Sequence, residues 1–223
     1  MNLLPAKEFT DPQGYLNLHA YVPIEFVPSD LGPKMYNAYE SLDAYGSTNL
    51  HMDMADAVNI MIAAEKTTTA EYGAVWDIYS RAATPHIRSL LNTHAERKEL
   101  DITDGIHDQA FYLNRHMREE LGRHTINNEP VRSWRIFQNP GDAVIIPAGC
   151  AHQVLNLQPS VKCAMDFVAP ASVLECWRLT KEFRMLSSDH LRREDILQLR
   201  VIFACVFDKI LSSQAKHSVL AFT

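Results

Sequence analysis

The sequence lacks the features that would assign it quickly to several large classes of protein. No run approaches the roughly 18 apolar residues of a membrane-spanning helix. The opening Met1-Asn2-Leu3-Leu4-Pro5-Ala6-Lys7-Glu8 has none of the basic-then-apolar layout of a secretory signal. An intracellular protein with no membrane partner is the expectation. Cysteine is scarce. Cys150, Cys163, Cys176 and Cys205 form no C-x-x-C pair, so neither a zinc knuckle nor a disulfide framework is suggested, and the four read as buried reduced thiols. The 8 glycines and 11 prolines are scattered as punctuation rather than gathered into a linker, and there is no internal repeat or low-complexity run. An excess of positive charge is missing too. With 21 Lys and Arg against 27 Asp and Glu, the net charge is −6. That argues against a binder that works by neutralising phosphate, and no direct sequence-specific binding of nucleic acid is expected. A basic partner such as a lysine-rich peptide fits better.

What is present is ordinary globular material: 47% hydrophobic and 22% charged residues over 223 positions, enough for one domain with a real core. Strand patterns run over 34–39, 48–53, 57–63 and 73–79, and in the third Val58, Ile60 and Ile62 share one face while Asn59 and Met61 share the other. A helical period then begins at Thr84, read as an N-cap before Pro85, with Ile87, Leu90, Leu91 and Ala95 on one face. A second helix is predicted over 108–121, capped by Asp108 and stopped by Gly122. Strands return at 134–137, 143–146, 152–157 and 161–168, separated by Asn-Pro-Gly-Asp, Pro-Ala-Gly and Gln-Pro-Ser turns, which suggests an antiparallel barrel or sandwich. The tail is helical over 173–186 and about 194–213. There Ile196, Leu199, Ile202, Phe203, Val206, Phe207, Ile210 and Leu211 form an apolar stripe, read as packing on the barrel or on a second copy.

The residues able to do chemistry are His51 and Asp53 with the distant His152. Positions i and i+2 of a strand point the same way, so His51-Met52-Asp53 presents an imidazole and a carboxylate to one side, and His152 follows a turn at the start of another strand. Two histidines and one carboxylate leave coordination positions open, as in non-haem Fe(II) oxygenases. The pair alone is weak evidence. Ten histidines and 27 acidic residues make one or two H-x-[DE] matches a chance expectation, and there are two. The second, His94-Ala95-Glu96, falls in the predicted helix, where i and i+2 diverge. A ferrous site of this kind takes a co-substrate such as 2-oxoglutarate, whose distal carboxylate needs a cation and a hydroxyl. Lys162, ten residues after His152 and on one face with Ala164 and Asp166, qualifies, although the alternation alone would equally let it point to solvent. Lys66, in the loop after the third strand, is a rival cation. Thr48 lies on the wrong side of an ideal strand and reaches the site only if the strand bends or bulges. Asn59 would be a costly inward side chain unless bonded to a ligand or a ladder neighbour. Tyr36 is a further contact or a core residue.

Several runs carry a resemblance. Asp30-Leu-Gly-Pro-Lys-Met-Tyr-Asn-Ala-Tyr39, Ser47-Thr-Asn-Leu-His-Met-Asp-Met-Ala-Asp-Ala-Val-Asn59, Gly73-Ala-Val-Trp-Asp-Ile-Tyr79, and Gly141-Asp-Ala-Val-Ile-Ile-Pro-Ala-Gly-Cys-Ala-His-Gln-Val-Leu-Asn-Leu157 are similar to the JmjC domain of the histone lysine demethylase 3 family, as are Lys162 to Val168 and Leu179 to Arg184. The similarity covers roughly residues 17 to 186. It implies a mainly β fold with α additions: a double-stranded β-helix, the jelly-roll or cupin-like JmjC barrel, with flanking and C-terminal helices. A single domain over 1–223 follows, with its barrel core at about 30–170 and a helical segment at about 172–214. By the same resemblance His51, Asp53 and His152 hold Fe(II), while Thr48, Asn59 and Lys162, with Tyr36 less firmly placed, contact 2-oxoglutarate. O2 is then used to hydroxylate an N-methyl carbon of histone lysine, releasing formaldehyde and succinate. The implied substrate is mono- or dimethylated lysine nine of histone H3, the implied compartment the nucleus, with chromatin-targeting partners. Two departures stand out. The segment between the third strand and Gly73 is short, about 64–72, and there is no counterpart of the cysteine-rich zinc module that relatives carry upstream. Two other readings remain: a hydroxylase of another protein or small molecule built on the same centre, and a non-catalytic JmjC module, against which the presence of His51, Asp53, His152 and Lys162 counts.

Overall fold

The computed structural model describes residues 4–27, 29–66, 70–188, 190, 193–195 and 197–220, with only the backbone for 213–220. Eight strands make two four-stranded antiparallel sheets. β1 (Lys34–Ala38), β3 (Asp56–Ala64), β8 (Ala143–Ile146) and β10 (Ser160–Phe167) form one, in the order β1-β10-β3-β8. β2 (Thr48–His51), β4 (Ala74–Ile78), β7 (Trp134–Gln138) and β9 (His152–Asn156) form the other, in the order β2-β9-β4-β7. A two-residue hairpin, β5 (Thr125–Ile126) with β6 (Glu129–Pro130), stands apart. Ala57, Met61, Val144 and Ile146 of the first sheet pack on Ala74, Trp76, Ile78 and Val154 of the second, so the sheets face one another as a double-stranded β-helix.

The period-2 pattern of β3 sorts its side chains as expected. Val58 and Ile60 cover the outer face with Met165, Phe167 and Leu4, while Ala57 and Met61 point inward. Outside the second sheet lies the largest apolar cluster. It takes Leu50 and Met52 from the sheet side and the buried faces of α2 (Thr84–Arg97), α3 (Arg115–Leu121), α4 (Val173–Arg184) and the start of α5 (Leu199–Leu220). Each fully buried Leu or Ile there contributes about 1.5–3 kcal/mol. The helices thus brace the second sheet and leave the space between the sheets to the site. A four-residue helix, α1 (Lys7–Thr10), packs by β10. No helix among the described residues is long and apolar enough to cross a membrane.

Three helix boundaries depart from expectation. Thr84 is not the cap of α2. A 3-10 turn at Arg81–Ala83 runs straight into the helix, Thr84 is already helical, and its buried Oγ1 has no hydrogen-bond partner. The helix predicted from Asp108 begins only at Arg115, because the Asp108 carboxylate accepts the Thr103 and Asp104 amides and Gln109 takes a positive φ. Asn114 is the cap, accepting the Met117 amide, and Gly122 ends the helix as expected. α5 starts at Leu199 rather than near 194. The Asp195 carboxylate accepts the Leu199 amide, and Gln198 sits at φ 52°. In its stripe Leu199 and Ile202 are buried, Phe207, Ile210 and Leu211 are exposed, and Ile196 lies outside the described residues.

Candidate metal centre and co-substrate cavity

Between the sheets is a cavity of about 400 Å³, and all seven expected site residues line it: Tyr36, Thr48, His51, Asp53, Asn59, His152 and Lys162. Lys66 does not; it is exposed in the loop after β3.

His51 and His152 stand opposite each other in the β2–β9 register, with ring centroids 4.2 Å apart. Each ring has its Nδ1 on a carbonyl two residues back: His51 on Asn49 O at 2.8 Å and His152 on Cys150 O at 3.0 Å. A carbonyl only accepts, so each Nδ1 carries a proton, and in the neutral ring Nε2 is the atom left to offer a lone pair. Both Nε2 atoms face Asp53. Oδ1 lies 3.9 Å from His51 Nε2, and Oδ2 lies 3.5 Å from His152 Nε2. β2 ends at His51, so Asp53 sits just past the strand rather than within it, yet its carboxylate keeps to the side of His51. One ligand atom from each of the three lies within 4.8 Å of the others, a grouping able to hold a metal ion. Backbone contacts fix the turn before His152. The Gly149 amide donates to Asp53 O, Arg81 Nε to Ala148 O, and the Tyr79 amide to Ala151 O. The buried Asp56 carboxylate adds bonds from the Ala148 and Ala169 amides and the Ser172 hydroxyl. Gly149 is required in this turn: its φ is 74°, and a Cβ would meet Glu175 Oε1 at 2.3 Å.

Thr48 reaches the cavity by the route expected of a distorted strand. Thr48 pairs with Val154 and His51 with His152, so three steps on β2 answer two on β9, and the register shift turns Thr48 to the side of His51. Along β9, His152, Val154 and Asn156 follow one another inward; along β10, so do Lys162, Ala164 and Asp166. Lys162 and Asp166 therefore stand about 13 Å apart along their strand.

At one end, Lys162 is 4% exposed. Its Nζ donates to Asn156 Oδ1 at 2.5 Å and lies 5.6 Å from the centroid of the Trp76 ring. No carboxylate pairs with it among the described residues, and burial pushes its pKa down to about 8. Asn59 pairs with Ala164, midway along the cavity, and its Oδ1 is buried without a hydrogen-bond partner, so the ladder neighbour does not satisfy it and a donor on a ligand could. At the other end, Lys34 Nζ meets Asp166 Oδ2 at 2.5 Å beside Asp53. Burial pushes the Asp166 carboxyl up to about 6 in spite of Lys34. Burial alone would lower the Lys34 ammonium, but Asp166 outweighs it and leaves it raised.

The residues present fit the group the donor chemistry implies. Two imidazoles with their outer nitrogens tied to carbonyls, plus a carboxylate, are the donor set of a non-haem Fe(II) centre with open positions. A buried ammonium with no carboxylate partner among the described residues, at the far end, suits an anionic co-substrate. Lys34, Trp76, Asn156 and Asp166 were not singled out as site residues. Asn156 was within reach of the pattern, since it repeats His152 at i+4 along one strand face.

Comparison with known proteins shows which family the chain resembles. Residues 47–167 match the family described as "JmjC domain, hydroxylase". The chain is 39% identical to lysine-specific demethylase 3A-B of Xenopus laevis, covering 99% of this chain and 19% of that protein. It is 37% identical to human lysine-specific demethylase 3A, covering 96% of this chain and 19% of that protein. With lysine-specific demethylase 3 of Drosophila melanogaster it shares 38% identity over 93% of this chain and 28% of that protein. The chain thus spans between 19% and 28% of the length of these relatives.

Proposed function

The chain belongs to the JmjC-domain family, and from that premise we propose that it is an Fe(II)- and 2-oxoglutarate-dependent oxygenase that removes N-methyl groups from histone lysine. The observation that carries the reading is the joining, in one cavity, of the His51, Asp53 and His152 donors with the unpaired Lys162 ammonium. His51, Asp53 and His152 would hold the metal, which when bound activates O2 for attack on a carbon–hydrogen bond. Lys162 would take the distal carboxylate of 2-oxoglutarate, with Thr48, Asn59 and Tyr36 as further contacts. The His51 and His152 Nδ1–H groups, bonded to their carbonyls, keep both rings aimed at the metal.

In the overall balance one O2, one 2-oxoglutarate and one N-methyl group give succinate, CO2, the N–H amine and formaldehyde. One oxygen atom enters succinate and the other enters the methyl carbon, whose hydroxymethyl amine then splits. The relatives' names support lysine as the substrate. Mono- or dimethylated lysine nine of histone H3, a nuclear location and chromatin-targeting partners belong to the same proposal, and a basic histone tail suits a net charge of −6. So does a single domain over 1–223 with its barrel at about 30–170 and its helical segment at about 172–214.

Mass spectrometry of methylated histone peptides incubated with the protein, Fe(II), ascorbate and 2-oxoglutarate tests it. Losses of 14 mass units that disappear in His51→Ala are expected. Gains of 16 units on an unmethylated residue would favour a hydroxylase, and succinate without any change in the peptides would reject the demethylase reading.

A further inference from the structure

The cavity is lined by two carboxylates among the described residues, Asp53 and Asp166. Asp53 is engaged with both histidines. Asp166 is committed to no donor of the metal site, yet it lies close enough to Asp53 for each to feel the other's charge. Its side chain is 13% exposed, and its cationic partner is Lys34, the more exposed at 35%. Lys34 stands on the edge strand β1, where its four-carbon stem can swing its ammonium into water. Asp166 has no such freedom. β10 lies between β1 and β3, and the Asp166 amide donates to Leu31 O.

Withdrawal of Lys34 would strand a buried carboxylate, which is strongly unfavourable unless another cation arrives. A group that enters this end of the cavity meets the pair, since both Lys34 and Asp166 line it. A neutral group leaves Asp166 uncompensated or Lys34 in the way. A protonated amine carries its own replacement charge.

Resting on the demethylase reading, we propose that Asp166 is the counter-ion of the substrate's methylated ammonium, and that Lys34 holds this place until the substrate displaces it. Mono- and dimethylammonium groups keep an N–H to donate to the carboxylate; a trimethylammonium has none and is held by charge alone. The site therefore discriminates among amines by charge first and by the remaining N–H second.

Fluorescence anisotropy measures this without turnover. The protein is loaded with Mn(II) and 2-oxoglutarate under argon, and the labelled peptides carry dimethyl-lysine, trimethyl-lysine or norleucine at one position. Wild type is expected to bind the dimethyl form about tenfold more tightly than norleucine, with trimethyl-lysine between them. Asp166→Asn is expected to shrink the dimethyl-over-norleucine ratio to within about threefold, and Lys34→Met to strengthen dimethyl binding by removing the competitor. Equal binding of the three peptides by wild type would overturn the proposal, and this holds even if the Asp166 variant fails to fold. So would a lower thermal midpoint in both variants with the ratio unchanged, the mark of a structural strut. If the ratio falls as expected but wild type under O2 releases no formaldehyde, the counter-ion role stands and the demethylase reading is lost. Demethylation with an unchanged ratio in Asp166→Asn has the opposite meaning.

Discussion

The two lysines that line the cavity stand in opposite electrostatic conditions. Lys162 is buried beside the neutral Asn156 amide and the Trp76 face, and desolvation lowers its pKa to about 8. Lys34 is part-exposed and held above its ordinary range by Asp166, with Asp53 close by. One end of the cavity is therefore short of negative charge and the other is already balanced. The difference teaches which ligand each end can take. An isolated buried ammonium is costly, and an anion filling the space would relieve it, so on the proposed reading the Lys162 end takes a carboxylate. On the same reading the balanced end would take a cation only by exchange with Lys34. On the proposed reading the end remote from Asp53 adds an anion, and the end beside Asp53 swaps a cation.

Removing a metal donor should have the largest effect. His51→Ala deletes one of three donors. Loss of groups that merely orient such donors already costs about 10–100-fold, so Mn(II) affinity measured by electron paramagnetic resonance should fall at least about 100-fold, and turnover should drop to background. Lys162→Ala should leave metal binding intact and raise the KM for 2-oxoglutarate by about 10–100-fold, the worth of a charge-assisted bond. Lys66→Ala should change neither quantity; if it carries the KM effect instead, the wrong lysine has been assigned to the anion. The Lys162 variant should also keep or gain thermal stability, because a buried charge with no carboxylate partner has been removed.

The pH dependence sharpens the same contrast. Lys162 is an ammonium below about 8 and loses its charge above it. kcat/KM for 2-oxoglutarate reports the free protein, so it should fall as pH rises through about 8, by up to tenfold per unit. Lys162→Ala should lack that limb. The smallest effect is expected from Thr48→Val, which removes a neutral hydroxyl: a rise of about 2–10-fold in the KM for 2-oxoglutarate at unchanged metal affinity.

Much of this could be read from alternation. The eight strands of the two sheets follow from period-2 apolar runs cut by Gly-, Pro- and Asn-containing turns, and the three donors from one H-x-D pair and a histidine after a turn. The rest depends on features that alternation does not encode. The register shift between Thr48 and His51 turns Thr48 inward, and nothing in Thr-Asn-Leu-His announces it. Asp108 is as good a cap for a helix as for a turn, and a local contest between the two decided where α3 begins. Lys162 was ambiguous because a strand has two faces; the β10 pairings with both β1 and β3 set its side. Lys34 and Asp166 are far apart in the chain, and only their register across β1 and β10 makes them neighbours.

The most direct test of the centre is the stoichiometry of turnover. Purified protein, Fe(II), 2-oxoglutarate and a dimethyl-lysine histone peptide should release succinate and formaldehyde one for one, and both should vanish in His51→Ala. Formaldehyde that persists in that variant, or succinate formed with no formaldehyde from any methylated peptide, would contradict the assignment.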